Sequence, residues 1–138
     1  TSATFKAAEK GYLSLYHDLP HSQEDGESIA QIYSFAKNIT EGKDPYIKIE
    51  KITKKADGDK KIISLELKIP EGNPVIGAKL FYITSDDLKG GETEWTRINR
   101  YSLQGGKISI EYPDAATFGY VSVVDLNGSV ISTEYMKL

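Results

Sequence analysis

The chain has no cysteine among its 138 residues, which excludes a disulfide framework and thiolate chemistry. The absence does not fix a compartment. It also has no excess of positive charge. Seventeen Lys and Arg against twenty Asp and Glu leave a formal charge of −3 and a pI near 5.4. A nucleic-acid partner, which calls for a basic field, is therefore not expected. No apolar run approaches the ~20 residues that span a bilayer. No charged, apolar, small-residue series marks a signal peptide. The serine nucleophile elbow, G-x-S-x-G, occurs nowhere in the chain. With 39% apolar and 27% charged residues, what remains is the composition of a globular protein of ordinary domain size.

What is present from Tyr46 onward is an alternating pattern broken by turn residues. "YIKIEKIT" places Ile47 and Ile49 on one face and Ile52 on the other, which predicts a bulge. After the Asp57-Gly58 turn, Ile63, Leu65, Leu67 and Ile69 alternate with polar residues, as in a half-buried strand. "VIGAKLFYIT", "EWTRINRY", "KISIEYP" and the pair "FGYVSVVDL" and "VISTEYMKL" follow. The last two are joined by Asn127-Gly128, a strong hairpin signal. These seven segments predict a mainly β fold, a seven-stranded antiparallel sandwich of the immunoglobulin or fibronectin type, over residues 45–138. The Cys-Trp-Cys hallmark of disulfide-bonded immunoglobulin domains is missing, and an open barrel is the alternative.

Residues 1–44 read differently. "YLSLYHDLP" predicts a short strand and exit loop. Ile29, Ile32, Tyr33, Ala36 and Ile39 recur at helical spacing, with Phe35 widening the stripe. Ser22 and Asp25 offer capping chemistry at the start, Gly42 stands where a C-terminal cap belongs, and Pro45 follows. One strand and one helix cannot bury a core alone, so they must lie on the sandwich or on something outside it.

Between that strand and helix sits His21, in a Pro-His-Ser turn. A histidine in a loop that leads from a strand to a helix suits a triad base, which needs a serine within hydrogen-bond reach and an orienting carboxylate. The bland alternative is a surface-turn histidine. For a metal, His17 and His21 are four apart, but Pro20 forbids the regular helix that would align them, and zinc wants three or four ligands. Neither a metal nor a cofactor is expected. Asp57-Gly58-Asp59 is a hairpin turn rather than a calcium loop, and Asp86, Asp87, Glu92 and Glu94 read as a solvated acidic loop, with a calcium or carbohydrate contact as the alternative. Trp95 and Tyr101 lie six apart on what reads as one strand face and form the candidate binding patch for a sugar or a protein; core packing is the alternative. Tyr120 is a candidate tyrosine-corner residue. Asn38 and Asn127 match the glycosylation acceptor pattern.

"YLSLYHDLPHSQEDGESIAQIYSFAKNITEGKDPYIKI" resembles the closing strand, histidine loop and helix of an α/β-hydrolase domain. "GAKLFYITSDDLKGGETEW" and "AATFGYVSVVDLNGSVISTEYMKL" are similar to the β-sandwich that follows the hydrolase core in the PhoPQ-activated pathogenicity-related family. The resemblance implies that His21 is the triad histidine and that serine and acid belong to a larger serine hydrolase of esterase or peptidase type. It implies a secreted or cell-envelope setting, and the remainder of the hydrolase-like domain as partner. This chain alone is then a non-catalytic accessory domain. The alternative is a self-contained binding module for carbohydrate or protein surfaces, in which residues 1–44 cap the sandwich.

Overall fold

The structure is a computed structural model that describes residues 11–17, 22–27, 29–58, 60–85 and 94–138. Among the described residues, two helices, α1 (Gln23–Glu27) and α2 (Ala30–Thr40), precede nine strands. These are β1 (Lys48–Asp57), β2 (Lys60–Lys68), β3 (Val75–Ile83), β4 (Thr96–Ile98), β5 (Ser102–Gln104), β6 (Lys107–Tyr112), β7 (Phe118–Asp125), β8 (Val130–Ser132) and β9 (Met136–Lys137). They form two antiparallel sheets, ordered β1-β2-β6-β5 and β4-β3-β7-β8, with β9 also paired to β7. Taking β8 and β9 as one interrupted strand, this is the ABED and C′CFG order of an immunoglobulin-type sandwich.

The alternating residues of the two sheets meet in one core. Ile47, Ile63, Leu65, Leu80, Ile108, Ile110, Val121, Val123 and Ile131 are all buried there. The β1 bulge falls between Ile49 and Lys51, and it brings Ile49 and Ile52 to one face opposite Leu67 and Leu65. Gly128, at φ 79°, makes the turn into β8 without the strain a side chain would meet there.

Among the described residues nine strands appear where seven are expected, for two reasons. "EWTRINRY" is not one strand: β4 ends at Ile98 in one sheet, and β5 begins at Ser102 in the other. The last strand is interrupted at residues 133–135. Thr133 bridges the break by donating its N–H to the Val121 carbonyl and accepting the Val121 N–H at its hydroxyl, both at 2.9 Å.

The sheet edges are defended in different ways. β1 carries Lys48, Lys51, Lys54 and Lys55 along with its bulge, devices that discourage strand addition. Lys54 lies opposite core residue Ile63 in the ladder and donates to the Lys137 carbonyl, tying β1 to β9 across the end of the sandwich. β8 is covered instead. Residues 11–16 run beside it without forming a ladder strand: Ser132 N–H donates to the Leu13 carbonyl at 2.7 Å, and Leu15 N–H to the Ser132 hydroxyl at 3.1 Å.

The expected single helix is two. Ser22 caps α1 through the Asp25 N–H at 3.0 Å. α2 ends in a Schellman motif: Gly42, at φ 66°, donates to the Ile39 carbonyl and Lys43 to that of Asn38.

A buried polar knot pins three turns of the sandwich. Asn73 Nδ2 donates to the Pro45 carbonyl and to Asp125 Oδ2, and the Ser129 N–H donates to Asp125 Oδ1, each at 2.8 Å. Asp125 is fully buried and Asn73 nearly so.

Candidate functional site

The outer faces of the two sheets differ in kind. Outside the β1-β2-β6-β5 sheet, Ser64 and Ser109 bond each other at 2.8 Å, and the ion pairs Lys51–Glu66 and Lys60–Glu111 lie in solvent. Outside the opposite sheet a like pair, Ser122 and Ser132 at 2.9 Å, is joined by an aromatic cluster. Phe81 faces Tyr120 in register, and their rings stack at 5.0 Å with a 14° interplanar angle. His17 lies over Phe81 at 4.8 Å. Trp95 and Tyr135 both meet Tyr120, at 5.5 and 5.1 Å, and each other at 5.6 Å. Phe81 and Tyr120 are buried, whereas Tyr135 is exposed and Trp95 half-buried. The break between β8 and β9 turns Tyr135 out onto this face, a common use of a strand irregularity.

Trp95 and Tyr101 therefore occupy different surroundings. Trp95 belongs to the outer aromatic cluster, whereas Tyr101 lies between β4 and β5 and packs against the main core. Tyr120, the third residue of β7, is stacked within the cluster. His21 lies outside the described residues, as do Asp59, Asp86, Asp87 and Glu92. Among the described residues, no three His, Cys, Asp or Glu side chains gather as a metal site, and no helix is long and apolar enough to cross a membrane. The Asn38 side-chain amide donates to the Tyr46 hydroxyl at 3.2 Å, and Asn127 is exposed at its turn.

A second feature, without a sequence signal, is a cleft of about 400 Å³ at the seam between residues 11–13, α2, the start of β1 and β8. Three rings build its wall: Tyr12 packs on Tyr46 at 4.8 Å and on Phe35 at 6.0 Å, and Phe35 on Tyr46 at 5.8 Å. Ile39, Ile47, Ile49 and Ile131 add aliphatic surface. Asp44 sits at the rim, accepts the Tyr12 hydroxyl and pairs with Lys48 at 2.5 Å. Lys48 first, then Tyr12, hold the Asp44 carboxyl below its usual range. Burial, reinforced by Asp44, pushes the Tyr12 phenol well above its own. The site joins residues thirty-two apart in sequence, which no local motif could announce.

The helical stripe read from sequence faces outward at Ile32 and Tyr33, 51% and 64% exposed, whereas Ile39, 46% exposed, borders the cleft. α2 is held to the sandwich by Gln31, Phe35 and Asn38 instead, a row at i, i+4 and i+7. Gln31 and Asn38 are polar, so apolar spacing does not mark this row.

No protein-family model matches the chain, and no curated protein does. Among solved structures, the chain is similar to the crystal structure of a hypothetical protein from Pyrococcus horikoshii OT3. That match has 12% identity and a TM-score of 0.44, and covers 67% of this chain and 87% of that one.

Proposed function

We propose that this chain is a non-catalytic interaction domain, the C-terminal part of an α/β-hydrolase-like protein of the PhoPQ-activated type, working in a secreted or cell-envelope setting. The observation that carries the reading is the outward stripe of α2. Side chains hold the helix on the sandwich, yet Ile32 and Tyr33 stay largely uncovered by this chain. Such a stripe suits a helix that closes a neighbouring domain, and the partner is the remainder of that hydrolase-like domain. Its triad histidine is His21.

Incubation with simple acyl esters is expected to yield no turnover above buffer. Turnover abolished by His21→Ala overturns the reading. Ile32→Asp with Tyr33→Ser is expected to leave the unfolding midpoint nearly unchanged, since exposed substitutions stay within about 0.5 kcal/mol. A gene whose reading frame supplies no serine elbow and acid in the same protein also counts against it.

A second reading, a self-contained binding module, is favoured by the way residues 11–17 and Gln31 complete the sandwich edge. In it, Trp95 serves as the sugar or protein contact, and its loss on Trp95→Ala is the test on a glycan array.

A further inference from the structure

We propose that the cleft between Tyr12, Phe35, Tyr46 and Asp44 is a binding site for a neutral saccharide. The proposal is independent of the accessory-domain reading, and it shares with the second reading only a class of ligand, at a different place on the molecule. Three observations carry it.

The first is size. About 400 Å³ lies within the range of small-molecule pockets, roughly 300–1,000 Å³.

The second is charge. Lys43 pairs with Glu41, just outside the lining, at 2.7 Å and Lys48 with Asp44 at 2.5 Å, so both cations of the rim are already matched by a carboxylate. An ionic ligand would have to break one of these pairs. A neutral one can add to them.

The third is the pattern of groups. The Asp44 carboxylate accepts, the Lys48 ammonium donates, and the Tyr12 hydroxyl lies beside the carboxylate. Adjacent sugar hydroxyls both donate and accept, and so complement such a set. The C–H face of a pyranose suits the Tyr12 ring and the isoleucine wall. A fatty chain would suit the isoleucines but lay hydrocarbon against an ion pair, which is costly.

The test is a protein-observed NMR titration of the full chain. The probes are methyl β-glucopyranoside, methyl α-mannopyranoside, cellobiose and maltose, with glucuronate and octanoate as controls. We expect saturable shifts at the Gly11, Tyr12, Asp44 and Lys48 amides with at least one neutral probe. Lys48→Met and Asp44→Ala should each weaken it about tenfold, the loss of one charged hydrogen bond. Trp95→Ala should not. Both rim residues are solvent-accessible, so these variants keep a dispersed spectrum; Tyr12→Phe, which retains the ring, is the second variant. The proposal is overturned if no neutral probe saturates, if shifts centre on Trp95 and Tyr135, if the rim variants bind as tightly as the parent, or if glucuronate or octanoate binds best.

Discussion

Gln31 holds both outward main-chain groups of Val130, a residue ninety-nine positions away. The Val130 N–H donates to Gln31 Oε1 at 2.7 Å, and Gln31 Nε2 donates to the Val130 carbonyl at 3.0 Å. A primary amide presents a donor and an acceptor much as a peptide group does, so one side chain stands in for the strand that would otherwise lie beside β8. The same amide also meets Ser14 Oγ at 3.0 Å and the Tyr16 hydroxyl at 2.5 Å.

Gln31→Ala should therefore destabilise by about 1–3 kcal/mol, the range for part-buried groups left without partners. Urea unfolding measures the loss. Amide exchange at Val130 should accelerate more than exchange at Val121, on the core strand.

Asn73→Ala removes two hydrogen bonds, one of them to a fully buried carboxylate. A loss of about 2–4 kcal/mol is expected by urea titration. Asn73→Asp should be worse at neutral pH, because two carboxyls then share a dry site. A variant as stable as the parent would contradict this account of the knot.

Gly119→Ala tests close packing between β7 and β3. A Cβ there would lie 2.5 Å from the Phe81 carbonyl oxygen and 2.8 Å from Leu138 Cδ1, and the first of these is backbone. A cost of about 1–3 kcal/mol is expected. Gly26→Ala, with open space around it in α1, should instead gain about 0.5–1 kcal/mol.

The Tyr12–Asp44–Lys48 set gives stability a two-sided pH dependence. The Asp44 carboxyl is lowered on folding, so its contribution is full above the ordinary carboxylate range, about pH 4, and is lost as pH falls through the lowered value. The Tyr12 phenol is raised, so its contribution is full below about pH 10 and declines as pH rises from there toward the folded value. Lys48→Met should flatten the acid arm and Tyr12→Phe the alkaline one, read as urea midpoints across pH.

The sandwich was readable in the chain because burial on one face writes itself as alternation. Ile63, Leu65 and Leu67, the β1 bulge and the Asn127-Gly128 turn all fall where the pattern puts them. The attached segment was less readable, because polar groups dock it. Gln31 and Asn38 face the sandwich while Ile32 and Tyr33 face away, which inverts the usual inference from an apolar stripe. Trp95 and Tyr101 were separated by a crossover between sheets, which spacing alone does not reveal. The cleft was invisible for a simpler reason: its parts come from opposite ends of the chain.

The seating of Leu13, Ser14, Leu15 and Gln31 on β8 also sets an order of events during synthesis. Ser14, Leu15 and Gln31 bond to residues 116, 117 and 99 positions further on. These contacts cannot form until the ribosome has delivered Val130 and Ser132, and long-range closure of this kind is slow. Ser14, Leu15 and Gln31 thus wait, long after they are made, for the strand that fastens them, and until then a chaperone or a neighbouring chain can reach them.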